Sequence, residues 1–456
     1  MDALLLIVFA LGYSAIVFEH PLKINKTAPA LLTAVICWTI FILFPPTGEF
    51  LKSEHWSQFL AGLNPSDTAG MSVDKLFQQF VGTELGHHLS STAEILFFLL
   101  GAMTIVELVD AHQGFKVITN RIRTKNASSL LIIISIVTFF LSSVLDNLTT
   151  SIVMVSLLRK LVHDSEQRKL FAGMVIIAAN AGGAWSPIGD VTTTMLWIGG
   201  QITAGYIIKT TFLASIVCLL VPMLFMATRL KGKVAQADFD HQAAEAHEVL
   251  KGSKLMLFLG VGALVFVPIF KSVTHLPPYL GILLGLAVLW VASELIHSDK
   301  DEEEKKPYSA SHALSKIDTS SVLFFLGILL AISALESSHI LTNVAHWLDS
   351  TLGKIEVIVF IIGLLSAIID NVPLVAASMG MYDMTAYPTD HWMWTFMAYC
   401  AGTGGSALII GSAAGVAVMG MEKIDFMWYA KKVSLYALLG YVAGAGVFLL
   451  TYQWFL

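Results

Sequence analysis

Long apolar segments alternate with short polar loops along almost the whole chain. A helix needs roughly 20 apolar residues to cross the hydrocarbon core of a bilayer, and most segments come close to that length. Lipid offers the backbone no hydrogen-bond partners, so we expect these segments to be helical and the fold to be an all-α integral membrane protein. We predict membrane spans at 3–18, 28–44, 92–109, 169–199, 206–228, 253–270, 279–296, 320–335, 392–419 and 429–456.

Two further apolar regions, 127–162 and 354–382, differ from these spans because an Asp-Asn pair interrupts each near its middle. We interpret each region as a helical hairpin whose two ends lie on the same side of the membrane. Charge alone fits both a re-entrant hairpin and a pair of full spans, and we take the re-entrant form as the working interpretation.

The charges of the short loops predict the orientation, because cytoplasmic loops of membrane proteins are enriched in Lys and Arg. The acidic segment 45–91 is then expected to be an external loop, and counting crossings places both termini outside. The first apolar segment has no basic residues before it and no small-residue cleavage site, so we predict a span and not a signal peptide. The basic residues that mark the cytoplasm are Lys23, Lys26, Arg121, Arg123, Lys125, Arg159, Lys160, Arg168, Lys169, Arg229, Lys231, Lys233, Lys251 and Lys254.

Three sequence markers recur in the same order at nearly constant spacing. The Phe-Phe-Leu of 97–99 returns at 324–326, the Ser-x-x-x-Asp-Asn of 142–147 at 366–371, and the Gly-rich 181–183 at 401–405. A chance match of apolar sequence does not explain a shared Asp-Asn pair, so we infer an internal duplication.

Each repeat contains five crossings and one hairpin, and because five is odd the second repeat must enter from the opposite side. Inverted repeats of this kind place the substrate site of many secondary transporters at the midplane. The predicted organisation is a first repeat at 1–230 with hairpin 127–162 and broken helix 169–199, a cytoplasmic linker at 231–252, and a second repeat at 253–456 with hairpin 354–382 and broken helix 392–419.

Composition supports the membrane class. Hydrophobic residues make up 56% of the chain and charged residues only 13%, too few to cover a soluble domain of this length. Basic residues form only short loop clusters, so no nucleic-acid partner is expected. Cys37, Cys218 and Cys400 lie far apart in apolar segments, and we interpret them as small buried side chains.

The two Asp-Asn pairs are the strongest candidates for chemistry. A carboxylate inside the membrane is costly, and such residues usually face a cavity that serves as an ion path. Asp146 and Asp370 therefore mark a candidate cation or proton site, with Asn147 and Asn371 adding neutral oxygens. A purely structural role as caps at a helix break is the alternative. Hydroxyl oxygens close to the pairs come from Ser142, Ser143, Thr149, Thr150 and Ser366.

A third intramembrane acid follows a break in the fourth span. The segment from Asn180 to Asp190 contains three glycines and a proline, which interrupt helical hydrogen bonding and free polar backbone groups. Thr192 and Thr193 follow the acid. The counterpart break at 402–406 has no acid, and Ser406 and Ser412 are its weaker candidates. Close helix packing is the alternative explanation for these glycines.

Four glutamates and two histidines are weaker candidates than the Asp-Asn pairs. We expect Glu107 and Glu336, at the ends of matching spans, and Glu94 and Glu294 to have interfacial or structural roles, with a proton relay as the alternative. His87 and His88 are expected in the external loop before the third span, where a role in pH sensing is the less favoured alternative.

At these motifs the chain resembles the NhaD-type Na⁺/H⁺ antiporters of the ion transporter superfamily, which also contains arsenite permeases and divalent anion/Na⁺ symporters. The motifs are 98–107, 142–150, 180–194 and 366–373. The resemblance implies a homodimer in the bacterial inner membrane, with a fixed scaffold and a mobile transport domain that moves as an elevator. It implies no cofactor, with Na⁺ or Li⁺ and H⁺ as substrates. The residues that it assigns to the site are Asp146, Asn147, Asp370 and Asn371, expected to hold Na⁺, together with Asn180, Asp190, Thr192, Thr193, Ser142, Ser366 and Ser406.

The functional hypothesis is exchange by competition: cytoplasmic Na⁺ or Li⁺ and external H⁺ bind the same buried carboxylates in turn. The alternative on the same fold is a transporter of anions, dicarboxylates or arsenite, which should prefer amides and hydroxyls at the hairpin tips. An intramembrane aspartyl protease is disfavoured, because the acids lie in matching hairpins and Pro187-Ile188-Gly189-Asp190 is not the Gly-x-Gly-Asp of such enzymes. We therefore expect a transporter and not an enzyme.

Overall fold

The computed structural model describes residues 1–44, 48, 50–63, 71–119, 122, 124, 126–230, 232, 234, 250 and 252–455. Most of the predicted linker 231–252 lies outside this part of the chain. So do several charged residues on which the orientation rests, namely Glu49, Asp67, Arg121, Arg123, Lys125, Lys231, Lys233 and Lys251.

The regular elements of the described part are all helical. Single turns of 3₁₀ helix lie at Phe50–Lys52, Lys306–Tyr308 and Tyr452–Phe455. The α-helices are α1 (Asp2–Val17), α2 (Glu19–Leu22), α3 (Thr27–Leu43), α4 (Glu54–Gly62), α5 (Val73–Ala111), α6 (Lys116–Thr119), α7 (Ala127–Leu145), α8 (Asn147–Leu161), α9 (Ser165–Gly183), α10 (Val191–Ile198), α11 (Ala204–Arg229), α12 (Ser253–Thr274), α13 (Pro278–Ile296), α14 (Glu302–Lys305), α15 (Ala310–Lys316), α16 (Thr319–Ser337), α17 (Ile340–Leu352), α18 (Ile355–Leu365), α19 (Asn371–Met381), α20 (Trp392–Gly404), α21 (Ala413–Glu422), α22 (Phe426–Lys432) and α23 (Ser434–Thr451).

Seven helices in the described part are long and apolar enough to cross a membrane, which confirms an all-helical, multi-pass membrane protein. Six of the seven are α5, α7, α11, α12, α13 and α16. The seventh is α23 together with most of the 3₁₀ turn that follows it. Shorter apolar helices, such as α1 and α3, account for further predicted spans. Each interrupted region contains two helices, α7 and α8 in the first region and α18 and α19 in the second.

The helix α5 corrects two expectations. It has 39 residues, so the helix that contains the third predicted span begins well before residue 92, and His87 and His88 lie within this helix and not in a loop. The expected external loop is partly helical for the same reason. Phe77 and Phe80 are 2% and 1% exposed, so the polar-looking stretch before residue 92 buries one apolar face and continues the helix.

The chain forms two compact units by its internal contacts. One comprises 1–96, 318–354 and 376–386, and the other comprises 97–317, 355–375 and 387–456. In the first unit, α3 packs along α16, and the Trp38 indole N–H donates to the Leu330 carbonyl at 2.8 Å. The second unit contains every residue that the sequence analysis assigned to the site.

Four helix interruptions shape this second unit. Asp146 separates α7 from α8, and residues 366–370 separate α18 from α19. Residues 184–190 separate α9 from α10, and residues 405–412 separate α20 from α21. Because a helix that stops inside the protein leaves N–H and carbonyl groups without helical partners, each break supplies polar backbone where the rest of the unit is apolar.

Glycines bring the breaks close to the hairpin helices. A Cβ atom added to Gly182 would collide with the carbonyl oxygen of Phe139, and one added to Gly404 would collide with the carbonyl of Gly363. Backbone therefore lies against backbone at both places, which only glycine permits.

Candidate functional site

Asp190 is the acid at the start of α10, and it is 1% exposed. Its backbone is extended, and its Oδ1 accepts the N–H of Thr192 at 2.8 Å and the Thr192 hydroxyl at 2.6 Å. This is helix N-capping, in which a carboxylate satisfies a free N–H at the positive end of the helix dipole. The cap fixes the direction in which the carboxylate points.

Two asparagines from the hairpins reach the same carboxylate. The Asn147 amide nitrogen lies 2.5 Å from Asp190 Oδ2, and the Asn371 amide nitrogen lies 3.4 Å from both carboxylate oxygens. Each asparagine is the first residue of a hairpin's second helix, and the two are 5% and 4% exposed. The breaks in the two hairpins therefore converge on one buried acid.

A third asparagine connects this acid to the second broken helix. Asn180, which is fully buried, accepts the Asn147 N–H at 3.1 Å. Its own amide nitrogen donates to the Ser406 hydroxyl at 2.9 Å and to the Ser412 hydroxyl at 3.0 Å. Ser412 caps α21 as Asp190 caps α10. The result is a continuous buried hydrogen-bond network, which we call the Asp190 network.

The Asp190 network contains one carboxylate, three amides and three hydroxyls. It joins residues of both hairpins and both broken helices, which are Asn147, Asn180, Asp190, Thr192, Asn371, Ser406 and Ser412.

Three other predicted residues hold the frame of the site. Ser142 donates to the Ala179 carbonyl at 2.6 Å, and Ser366 donates to the Ala401 carbonyl at 3.0 Å. Each hydroxyl thus ties a hairpin to its neighbouring broken helix. The Thr193 hydroxyl donates to the backbone carbonyl of Asp190 at 2.8 Å, so it supports the turn and not the carboxylate.

The two hairpin acids differ from Asp190 in position. Asp146 is half-buried, and its carboxylate accepts the N–H and the hydroxyl of Thr149 at 2.8 and 2.7 Å, capping α8. This is the capping role that sequence left open. Its φ of 104° and ψ of 156° belong to a region that is essentially restricted to glycine, and such strain is often stored at functional sites. Asp370 is half-buried too, with the Val372 N–H 3.5 Å from its carboxylate.

The structure adds one residue that the sequence did not indicate. The hydroxyl of Tyr429, a fully buried residue of α22, donates to the Ser406 carbonyl at 2.9 Å. It therefore fixes the backbone beside a member of the Asp190 network. No motif surrounds this tyrosine, and only the packing of α22 reveals its position.

The donor set suits a hard monovalent cation or a proton. A carboxylate with amide and hydroxyl oxygens is the ligand type that such cations prefer. In the described residues, no group of three or more His, Cys, Asp or Glu is placed to hold a metal ion.

Comparison with known proteins identifies relatives along almost the entire chain. The model of the CitMHS family, described as "Citrate transporter", matches residues 13–402. The protein "Sodium/proton antiporter 1" of Arabidopsis thaliana is 50% identical over 98% of this chain and 72% of its own length. "Sodium/proton antiporter 2" of the same plant is 47% identical, covering 97% and 98%. "Na(+)/H(+) antiporter NhaD" of Vibrio cholerae is 29% identical, covering 98% and 91%. The resemblance inferred from the motifs is confirmed.

A solved structure shares the fold. The crystal structure of the Alcanivorax borkumensis YdaH transporter, reported to have an unusual topology, superposes with a TM-score of 0.57. The match covers 94% of this chain and 98% of that one, at 12% sequence identity. At this identity the similarity concerns the fold alone.

Proposed function

We infer that this chain, which belongs to the CitMHS (citrate transporter) family, is a sodium/proton antiporter. Two relatives at 50% and 47% identity over nearly its whole length carry that name, and a third is named as an NhaD antiporter. The chain is thus a membrane transporter and not an enzyme. We propose Li⁺ as an alternative to Na⁺, because both are hard monovalent cations that bind oxygen.

The observation that carries the mechanism is the neutral surroundings of Asp190. Its described hydrogen-bond partners are two amides, a hydroxyl and a backbone N–H, and none of them carries a positive charge. A buried carboxylate without a cationic partner is costly, so it is stabilised by binding either a proton or a cation. One carboxylate cannot stably hold both a proton and a cation, so binding of one ion expels the other. When the two ions bind this carboxylate from opposite sides of the membrane, the result is antiport.

The amides of the Asp190 network offer a way to sense which ion is bound. In the structure Asn147 and Asn371 present N–H groups to the acid. A rotation of about 180° at each amide would present the oxygen instead, since an Asn side chain is a donor on one side and an acceptor on the other. We propose that Na⁺ binds with both amides turned, and that the orientation seen here, with N–H groups donated to the carboxylate, belongs to the ionised acid without Na⁺.

We also propose the inverted-repeat organisation with two re-entrant hairpins, and the repeat boundaries predicted from the sequence. Paired contacts support a duplication. Ser142 bonds Ala179 in the first half as Ser366 bonds Ala401 in the second. Asp190 and Ser412 are extended N-caps at matching breaks. Because each repeat has an odd number of crossings, the second repeat would enter the membrane from the side opposite to the first.

The elevator motion, the homodimer and the external termini are likewise proposals, and they rest on the resemblance and on loop charge. The site in both hairpin tips and both broken helices fits an elevator, because these elements would move as a block. As to localisation, the chain is a multi-pass membrane protein, and the particular membrane is not identified. The relatives at 50% and 47% identity come from a plant, so they lend no support to the bacterial inner membrane that the sequence analysis expected.

Transport of citrate or another anion is the second candidate, because the family model carries that description. The charge of the site disfavours it. An anion bound between the hairpin tips would meet Asp190 and lie near Asp146 and Asp370, and like charges at short range in a low dielectric repel strongly.

The test uses purified protein in liposomes with an internal pH dye. Imposed Na⁺ or Li⁺ gradients should move protons through the wild type, and labelled citrate should not enter. Asp190→Asn should abolish the exchange, and we expect the same of Asp146→Asn and Asp370→Asn. Citrate uptake without cation-driven proton movement would establish the anion transporter and reject the antiporter.

A further inference from the structure

The far end of α10 is held by a lysine from a helix outside the hairpins and broken helices. The ammonium of Lys271, in the last turn of α12, donates to the Trp197 carbonyl at 2.8 Å. The same ammonium lies 4.9 Å from the centre of the Trp197 indole ring. Trp197 itself is 2% exposed.

Three favourable interactions coincide at this contact. The Trp197 carbonyl lies in the last turn of α10, beyond the i to i+4 ladder; it accepts the Gly200 N–H at 3.3 Å, and the Lys271 ammonium adds a shorter hydrogen bond at 2.8 Å. A cation at the C-terminal end of a helix is stabilised by the helix dipole. The indole face attracts the cation as well. A chance surface contact of a lysine would rarely combine all three, so the contact fixes the end of α10.

The other end of α10 is Asp190. This helix has only eight residues, about 12 Å in length at 1.5 Å per residue. It is therefore a short rod with the site acid at its first turn and the Lys271 contact at its last turn. Phe98 packs edge-on against Trp197, with ring centres 6.3 Å apart, so the last turn is braced on a second side.

The second broken helix is anchored differently. Its half-helix α21 is capped by Ser412 and ends at Glu422, whose carboxylate binds Arg159 and Arg168. These arginines come from α8 and α9, which belong to a hairpin and a broken helix. Lys271 comes from α12, which belongs to neither. The anchor of α10 thus joins the site to a helix outside the elements that form it.

We propose that Lys271 is a positioning residue for cation exchange: by holding the last turn of α10, it sets the place of Asp190 against Asn147 and Asn371. This inference rests on the proposed antiport. A lysine that acts through another residue should alter the binding of Na⁺ and not only the amount of folded protein, because Asp190 must be held within about half an ångström of its productive place.

The test compares Lys271→Met, Lys271→Arg and the control Lys254→Met in liposomes. Lys254 is an exposed lysine in the first turn of the same helix, so its variant removes an equal charge from α12. We expect Lys271→Met to raise the half-saturating Na⁺ concentration by about tenfold. Lys271→Arg, which keeps the donor and the contact with the ring, should stay close to the wild type, as should the control.

A second measurement covers the case in which Lys271→Met inserts poorly into liposomes. The rise in unfolding temperature with added Na⁺ gives the affinity of the folded protein in detergent. An unchanged Na⁺ dependence in both assays, with only a lower maximal rate or yield, would show a merely structural lysine and overturn the inference. A wild type without Na⁺-driven proton movement would instead overturn the antiport itself, and the inference with it.

Discussion

Asp190 and Ser412 occupy the same place in two different helix breaks. Both have extended backbones, with φ of −146° in each case and ψ of 146° and 153°. Each accepts an N–H from the short helix that it caps. Asn180 joins the two, since it accepts from Asn147 beside Asp190 and donates to Ser412. The site therefore has a repeated frame with a single carboxylate in it.

This asymmetry predicts unequal effects of substitution at the two caps. Asp190→Ser leaves a cap but removes the charge, so exchange should be abolished, by more than about a hundredfold. Ser412→Ala removes one cap, which costs about 1 kcal/mol, and one acceptor for Asn180, so we expect a reduction of less than about tenfold. Na⁺-driven proton flux in liposomes measures both. Equal losses in the two variants would show that the charge of Asp190 is not decisive.

The close approach of hairpin and broken helix predicts that two glycines cannot be replaced. In Gly182→Ala and Gly404→Ala the new methyl group would overlap the carbonyls of Phe139 and Gly363, and overpacking typically costs about 1–3 kcal/mol. We expect a lower unfolding temperature in detergent and reduced exchange.

The control for these glycines is Gly446→Ala. Its methyl group would meet nothing within 4 Å, and alanine is the better helix former by about 1 kcal/mol. Its unfolding temperature should therefore be unchanged or higher. A similar loss of stability in all three variants would contradict the packing that we describe.

The contacts of Glu422, a residue outside the Asp190 network, predict that its substitution has a large effect on stability. Its carboxylate is 1% exposed and lies 2.7 Å from Arg159 and 2.6 Å from Arg168, while the Met421 carbonyl also accepts from Arg159. Glu422→Ala removes charge-assisted hydrogen bonds worth about 1.5–3 kcal/mol each, while the two arginines that it leaves are exposed enough to be hydrated. Glu422→Ala should accordingly lower the unfolding temperature strongly.

Arginine variants and a surface control complete this test. Arg168 is 20% exposed and Arg159 is 48% exposed, so Arg168→Ala should be the more destabilising of the two. Glu304→Ala changes an exposed glutamate and should have no measurable effect. If Glu422→Ala unfolds at the same temperature as Glu304→Ala, the contacts of Glu422 do not stabilise the fold.

The burial of His112 predicts that the folded protein loses stability in acid. It lies directly after α5 and is fully buried, with Nδ1 2.7 Å from the Leu108 carbonyl. Burial lowers its pKa below the ordinary 6.5; the Leu108 carbonyl partly opposes this shift, and the charge of Lys300 adds to it. The unfolded chain then binds a proton more readily than the folded one. Stability is therefore complete above the ordinary pKa and is lost as the pH falls toward the lowered value.

Unfolding temperatures at pH 7.5 and 5.5 measure this effect. The wild type should be less stable at pH 5.5, and His112→Gln should show a smaller difference between the two conditions. His163→Gln is the control, since His163 is exposed, and its difference should match the wild type. An unchanged difference in His112→Gln would show that another group causes the acid sensitivity.

Periodicity and composition were sufficient for the class of fold and for the location of the four breaks. Paired Asp-Asn motifs and glycine-rich stretches interrupt helices for local reasons, so they can be read without a structure. The start of α5 was missed, because Phe77 and Phe80 alternate with polar residues and bury only one face. Amphipathic extensions of this kind lack the continuous apolar run that marks a span.

The sequence indicates the residues of the Asp190 network, but it does not show which of them contact one another. It assigned Na⁺ to Asp146, Asn147, Asp370 and Asn371, and placed Asp190 among the further residues of the site. Which acid meets the amides depends on how each tip turns, and the turn at Asp146 directs its carboxylate to Thr149. Distant partners such as Ser412 and Tyr429 depend on tertiary packing, which no local pattern reveals.

The central claim is that Na⁺ and H⁺ compete for Asp190. The most direct measurement is the affinity of the purified protein for Na⁺, determined by calorimetry at several pH values. Competition predicts that affinity weakens about tenfold per pH unit once the site is protonated, that Na⁺ binding releases protons, and that Asp190→Asn loses both effects. Sodium affinity independent of pH, or unchanged binding by Asp190→Asn, would contradict this account.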